Sequence, residues 1–426
     1  MVADRFVRLP VVTALALCLV LPVVARAQNH EHDGMAGDGL DVRVEDASAW
    51  RLHLDGTLFG TLNFQGGKRG ETDVRSQNWL MVMGMHPLGS GVLTLSGMFT
   101  AEPFTVGQPG YSEIFQEGES YRGLQITDHQ HPHDLFMQLS AAWRVPVGRG
   151  VHLTLAGAPV GEAALGPAAF MHRPSSAEDP TAPLSHHVFD STHVASSVVF
   201  VGIDRGPLTL EGSVFHGREP DEHRYDLDFG VPDSWSARMW LRFGSDWTLQ
   251  VSHGFLHEPE QLEPGNQRRT NASLSWFRQR GETYTAVMVA VGQNRRRYST
   301  VGSVLLEATH RSERFTIYGR AERTEVETEI LLFPERVHVP HPGELVDPVG
   351  AFTAGGIRDL FRVKGLTIGV GGDTTFYNVP PLLKITHGEH PVSAHVFLRI
   401  APARFSSRMW NMTMGGHVPA GSSHHH

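Results

Sequence analysis

Histidine and carboxylate residues concentrate in four short segments between positions 129 and 226. They read HQHPHD at 129–134, FMHRPS at 170–175, SHHVFDSTH at 185–193 and HGREPDEHRYD at 216–226. Imidazole and carboxylate groups are the usual ligands of Zn²⁺, Cu²⁺, Ni²⁺ and Fe²⁺. The predicted metal ligands are His129, His131, His133, Asp134, His172, His186, His187, Asp190, His193, His216 and His223.

The first segment has alternating histidines. Side chains of an extended chain alternate between two faces, so His129, His131 and His133 are expected on one face. One loop could then supply several ligands to one ion. No spacing matches a known metal motif closely, and histidines that only form hydrogen bonds along a polar rim are the alternative.

A hydrolase is a second interpretation of the third segment. Asp190, Ser191 and His193 have the residue types of a catalytic triad, with His193 or His187 as the base. A triad depends on geometry rather than on neighbouring positions, and Asp-Ser-Thr is also common in turns. We therefore predict no enzymatic activity, no catalytic residue and no required cofactor, and keep the hydrolase as an alternative.

The N-terminus predicts export. Arg5 and Arg8 precede an apolar run over 9–24, and small residues around position 27 follow it, as in a secretory signal peptide cleaved after Ala27. A lipoprotein is the competing interpretation of Cys18, but Leu17 fits a lipidation site poorly.

Composition excludes several classes of function. Cys18 is the only cysteine, so the mature chain has no zinc finger, iron–sulfur cluster or cysteine nucleophile. Removal of residues 1–27 takes away three arginines and one aspartate, which changes the net charge from −9 to −11. The basic surface of a nucleic-acid-binding protein is therefore not expected.

From Trp50 the chain alternates apolar and polar residues with a period of two. Leu52, Leu54 and Leu62 alternate with residues such as Asp55 and Thr61. In a membrane barrel this pattern places apolar side chains towards lipid and polar side chains towards the lumen. The alternation recurs at 151–155, 234–243, 271–276, 366–371 and 393–400.

The connections between these strands alternate in length. Short turns are predicted at 87–91, 146–150, 204–207, 244–246, 278–282, 310–314 and 361–365. Longer polar loops are predicted at 66–73, 103–133, 161–189, 219–233, 258–270, 294–302, 328–348 and 378–391. This sorting predicts an all-β, transmembrane antiparallel barrel of about sixteen strands in the bacterial outer membrane, with short periplasmic turns and long external loops.

The predicted organisation has one folded domain. A signal peptide (1–27) and a flexible His-containing segment (28–49) precede the barrel (50–400), and a C-terminal tail (401–426) follows it. Either the tail hangs into the periplasm or the last strand at 393–400 is wrongly assigned. Glu113, Glu117 and Glu119 are expected in a short helix, exposed to solvent or folded into the lumen as an acidic constriction.

The histidine segments, together with EQLEPG at 260–265, resemble a family of uncharacterised exported bacterial proteins. That resemblance implies an outer-membrane-like barrel and a link to metal handling, because such proteins often lie near metal-efflux genes. It implies no established activity and no site residues.

These observations predict a porin-like channel or transport protein whose loops handle a divalent transition metal, Zn, Cu, Ni or Fe. The expected partners are outer-membrane lipid, small ions or solutes, and further copies of the chain. A barrel-embedded hydrolase, or a structural or adhesive barrel without a transport role, is the alternative function.

Overall fold

The structure of the chain is a computed structural model. It describes residues 50–262, 265–332, 345–403 and 410–417. The predicted signal peptide, the segment after it and the last nine residues lie outside the described part.

Sixteen antiparallel strands form one closed sheet, which confirms the predicted barrel. β1 pairs with its neighbour β2 and also with the last strand, β16, through Leu58 opposite Ile400 and Phe64 opposite Ala394. Both segments of β2 pair with β1, so they are one interrupted strand. The strands are β1 (Arg51–Phe64), β2 (Thr72–Arg75 and Asn78–Leu88), β3 (Gly91–Phe99), β4 (Phe136–Gly148), β5 (Val151–Gly161), β6 (Ala195–Arg205), β7 (Leu208–His216), β8 (Ser234–Phe243), β9 (Trp247–Leu256), β10 (Gln267–Arg280), β11 (Thr283–Arg295), β12 (Thr300–Arg311), β13 (Phe315–Glu327), β14 (Val346–Val363), β15 (Leu366–Asn378) and β16 (Val392–Pro402).

The two faces of the barrel differ as the period of two predicts. Leu62, Val199 and Leu306 are exposed on the outer face, whereas Asp55 and Thr61 are buried on the inner face. An apolar outer surface around a closed sheet suits contact with lipid, because every strand has its backbone hydrogen bonds satisfied by neighbours.

Turns and loops are sorted between the two ends of the barrel. Seven turns of two or three residues lie at one end, together with the start of β1 and the end of β16. The longer connections lie at the other end, which we call the loop end. The connection predicted at 294–302 is shorter than expected, because β11 and β12 extend to leave only 296–299 between them.

The described loops contain short elements. They are the helices α1 (Glu102–Thr105), α2 (His186–Phe189), α3 (Thr328–Leu332) and α4 (Lys384–His387), the 3₁₀ turns Phe170–His172 and Ser191–Val194, and a hairpin of Tyr111–Tyr121 with Leu124–Gln130. None of the helices in the described ranges is long and apolar enough to cross a membrane.

The hairpin corrects the helix expected around Glu113. Tyr111 pairs with Gln130 and Tyr121 pairs with Leu124. Arg122 and Gly123, between the two strands, have φ values of 54° and 73°. Positive φ at both central residues is the geometry of a tight hairpin turn, and this turn chemistry decides the local structure.

The third long connection, residues 162–194, folds into the barrel, and we call it the lumen loop. Nearly all of its residues are buried. On one side the backbone N–H of Gly166 donates to Ser252 Oγ of β9 at 2.9 Å. On the other side Arg173 binds Glu307 of β12, and Glu178 contacts Arg399 of β16. The lumen loop therefore crosses the interior from wall to wall.

A C-terminal segment also lies inside the barrel. The ring of Trp410 packs 5.6 Å from that of Tyr284 on the inner face of β11, and Asn411 donates to the carbonyl of His172 at 2.8 Å. Met412 and Met414 are buried. Residues 410–417 thus return into the lumen, so the expectation that the tail hangs into the periplasm is wrong for these residues.

Candidate metal-binding site

Five histidines line one pocket near the loop end of the barrel. They come from two loops, one between β3 and β4 and the other the lumen loop, and a third loop adds Glu219. The five are His131, His133, His186, His187 and His193, and we call this the histidine pocket.

At the centre of the pocket two imidazoles face each other. Nε2 of His133 and Nε2 of His193 are 3.3 Å apart. Nδ1 of His193 lies 2.7 Å from the carbonyl oxygen of Asp190, which only accepts hydrogen bonds, so Nδ1 carries the proton. In the neutral ring, Nε2 of His193 then presents its lone pair to His133.

His133 is oriented in the same way by Glu102. One oxygen, Oε2 of Glu102, accepts from the backbone N–H of His133 at 2.9 Å and lies 2.8 Å from Nδ1 of the same residue. A carboxylate at Nδ1 favours the proton on that nitrogen and leaves Nε2 as a ligand atom. With Nε2 deprotonated on both rings, two lone pairs point to the same region between them.

His186 is the third ring of this group. Its Nδ1 lies 2.7 Å from Oδ1 of Asp190, and its ring centroid lies 5.3 Å from that of His193. Asp190 is held in turn by Arg173, whose guanidinium also binds Glu307 at 2.8 Å. The orientation of His186 therefore depends on an ion-pair network that reaches across the lumen.

Burial keeps His186 and His193 neutral. Removal from water lowers the pKa of His186 to about 4, although Asp190 opposes the shift. Burial and the neighbouring His133 hold the pKa of His193 well below its usual value. Burial alone would raise the pKa of Asp190, but Arg173 and His186 outweigh it and lower that pKa. At neutral pH the rings are in the form that binds metal ions.

A second group of ligand atoms lies in the adjoining loops. Atoms of His187, Glu219 and Glu260 all lie within 4.8 Å of one another. The side chain of Glu219 is 10% exposed, and its Oε1 lies 3.5 Å from Nδ1 of His187. Burial would raise the pKa of Glu219, but His187 and Arg269 outweigh it, so the pKa falls and the group is a carboxylate.

His131 lies between the two groups. Its ring centroid is 6.1 Å from that of His133 and 6.2 Å from that of His187. The His133–His193 pair and the His187–Glu219–Glu260 group are therefore neighbours along one line of imidazoles, and a cation bound at one group would be close to the other.

Four predicted ligands lie outside the histidine pocket. His129 contacts the carbonyl of Thr127, His172 packs against a tryptophan ring, His216 contacts Asp233 and His223 contacts Asp221. The shared face predicted for His129, His131 and His133 is not formed, because the hairpin strand ends at Gln130 and the period of two ends with it.

Of the two predicted aspartates, Asp134 lines the histidine pocket, whereas Asp190 lies behind His186. Asp134 binds Arg224 at 3.2 Å, and Asp190 orients His186. Glu102, Glu219 and Glu260 were not among the predicted ligands. Glu219 and Glu260 lie in GREPDEHRYD and EQLEPG, two of the motifs that carry the family resemblance, and this was a sequence signal for them. Glu102 lies in none of these motifs.

The residues of the hydrolase alternative do not form a triad with one another. Ser191 Oγ accepts a hydrogen bond from Arg269 at 2.9 Å. His193 contacts the main-chain carbonyl of Asp190 rather than its carboxylate, and its Nε2 faces His133. A serine nucleophile needs the base within hydrogen-bond reach, which is a matter of geometry.

No protein-family model and no curated protein sequence matches the chain. Among solved structures it is similar to Salmonella typhi OmpF in complex with daunomycin, with 8% identity, a TM-score of 0.50 and 82% of this chain and 97% of that chain covered. For Pseudomonas putida OprB at high pH the values are 10%, 0.50, 83% and 94%. The fold is a porin-like barrel. At these identities the likeness concerns the fold alone.

The barrel lies in the bacterial outer membrane. Its closed antiparallel sheet, its apolar outer face and its sorted turns and loops are the features of proteins of that membrane. Lipid therefore surrounds the outer face of the barrel.

Proposed function

We propose that this protein is a porin-like barrel that captures a transition-metal ion at its external mouth, with His133 and His193 as the first ligands. The observation that carries this function is the 3.3 Å separation of their Nε2 atoms. Tetrahedral ligands about 2.0–2.1 Å from Zn²⁺ are about 3.3–3.4 Å from one another. The pair therefore has the spacing of one edge of a metal site.

The surroundings of the pair support metal binding over a simple polar rim. Metal-bound histidines usually donate their other ring nitrogen to a carboxylate or carbonyl oxygen. His133, His193 and His186 each have such an oxygen at Nδ1, 2.7–2.8 Å away.

The lumen loop supports an ion rather than a bulky solute as the guest. It crosses the interior between the walls, and residues 410–417 occupy part of the remaining space. A captured ion needs only a narrow path between side chains. We therefore propose handling of metal ions, with general diffusion of larger solutes as the function that this arrangement disfavours.

Metal titration of the mature protein refolded in detergent tests the proposed site. Zn²⁺ affinity, measured by competition with a chromogenic chelator, is expected to fall at least a hundredfold in His133→Ala/His193→Ala. The matched control is His223→Asn, an exposed loop histidine outside the pocket. Equal affinity in the double variant and the wild type would remove the pair as ligands.

Planar-bilayer recording tests the transport part. Conductance that micromolar Zn²⁺ or Cu²⁺ blocks from the loop side, and that loses this block in the double variant, is the expected result. A folded, metal-binding protein without any ion flux would favour a sensing or structural barrel.

A further inference from the structure

Seven of the thirteen methionines of the chain pack together on one side of the lumen. They come from three neighbouring strands, the lumen loop and the C-terminal segment. They are Met81, Met83, Met85, Met98, Met137, Met171 and Met412, and we call them the methionine cluster.

The strands place several thioethers side by side. Met81, Met83 and Met85 alternate along β2, so all three point to the inner face. Three such positions span roughly 14 Å, because two strand residues advance about 6.8 Å. Met81 is directly opposite Met98 of β3 in the sheet register, and such cross-strand pairs have Cβ atoms about 4.5–5.5 Å apart. The β2 methionines thus form a line along the wall.

The methionine cluster lies directly beneath the histidine pocket. Phe170 belongs to the same packed group, and its ring centroid is 5.6 Å from that of His186 and 6.5 Å from that of His193. Val194, the next residue after His193, is also a member. Phe170 and Val194 therefore connect the methionine cluster to the histidine pocket.

Gap filling alone does not account for this concentration. Methionine is a flexible filler of irregular cores. The other buried clusters of the described lumen are built mainly from alanine, valine, leucine and aromatic residues, as around Phe200 and Leu256 and around Leu331 and Val349. The same barrel thus fills comparable space elsewhere without collecting sulfur atoms.

We propose that the methionine cluster is a thioether site for Cu(I), placed inward of the histidine pocket. Thioethers are uncharged soft ligands that select Cu(I), and imidazole also suits copper, so copper is the metal that both groups of side chains share. This assignment rests on the proposed function for its biological role, because capture at the mouth would supply the ion. The binding of a soft monovalent ion by the sulfur atoms is a separate property and is tested separately.

The test uses Ag(I), a redox-inert substitute for Cu(I), and Cu(I) itself under a reductant with a competing Cu(I) chelator. The full-length mature protein is refolded in detergent, and Met81→Leu/Met98→Leu/Met137→Leu is compared with the wild type. Leucine keeps the apolar volume, so the barrel is expected to remain folded. Affinity for both ions is expected to fall at least tenfold. The matched control, Met288→Leu, removes a buried methionine of another cluster and should bind as the wild type does.

His133→Ala/His193→Ala separates the two sites. It should lose tight Zn²⁺ binding and retain a sulfur-bound Ag(I) ion. Copper X-ray absorption on the wild type gives a readout that needs no variant, with Cu–S scattering expected. Wild-type Ag(I) affinity in the triple methionine variant, or a copper spectrum of nitrogen and oxygen neighbours alone, would overturn the thioether site and leave the histidine pocket untouched.

Discussion

The lumen loop meets two walls of opposite character. Towards β12, β13 and β16 it is bound by buried ion pairs, such as Arg173–Glu307 at 2.8 Å and Asp179–Arg320 at 3.1 Å. Towards β2, β3 and β4 it packs against methionine and aromatic side chains. Buried charges tolerate little displacement, because a separated ion is left without compensation. Flexible thioethers can reorient around a guest. We therefore propose that the charged wall anchors the lumen loop. The methionine cluster and the histidine pocket then bind the metal ions.

Breaking the charged wall should have the largest effect. Arg173→Met removes the cation that Asp190 and Glu307 share and leaves only Arg320, at 3.8 Å, beside Glu307. A loss of about 3–5 kcal/mol in the free energy of unfolding is expected. Urea titration in detergent measures it. Arg144→Met is the control, since its pair with Asp204 is partly exposed, and should cost about 0–1 kcal/mol. Equal losses in the two variants would contradict the anchoring role.

Acid should lower the free energy of unfolding in a defined pH window, because His186 is buried as a neutral ring. The folded-state pKa of His186 is about 4, whereas an unfolded histidine titrates near about 6.5. Between these values the unfolded chain holds the proton and the folded chain does not, so stability falls as the pH drops from about 6.5 to about 4. For this group the loss approaches about 3 kcal/mol. Unfolding titrations in EDTA should show this slope, and His186→Asn should flatten it; an unchanged slope would argue against a neutral buried ring.

Removing the carboxylate behind His133 should weaken metal binding without removing a ligand. Glu102→Gln is expected to lower Zn²⁺ affinity about tenfold to hundredfold, as loss of such outer partners does. Glu71→Gln, with a side chain 68% exposed near His129, is the control and should change little. If both variants bind as the wild type does, orientation through Glu102 is not part of the site.

The second ligand group should give the smallest and most selective effect. Glu219→Gln removes one charge beside His187, and a weakening of at least about tenfold is expected for a second bound Zn²⁺ ion only, because a carboxylate attracts a cation strongly at short range. The tighter Zn²⁺ site and Ag(I) binding should persist. Titration to saturation separates the two events, and a simultaneous loss of both would show that the groups form a single site.

The barrel itself was predictable because its signals are local. A period of two from Trp50 onward and the alternation of short and long connections can both be read within a few residues. They predicted sixteen strands, the outer membrane and the gathering of histidines at one end. The helix expected near Glu113 was wrong. The composition of this segment suits a helix or a strand, and the tight turn at Arg122 and Gly123 decides in favour of a hairpin.

The site was decided by tertiary structure. His133 and His193 are close because the lumen loop folds into the barrel and meets the β3–β4 connection there. Glu102, near the start of the β3–β4 connection, contacts His133, near its end. The methionine cluster likewise joins Met81 with Met412, which are close only because the C-terminal segment returns into the lumen. Periodicity is a property of neighbours along the chain, whereas these contacts depend on barrel closure and on which loop fills the lumen. The sequence alone therefore determined the wall and the residue types at its mouth, and only the folded chain determined which of them meet.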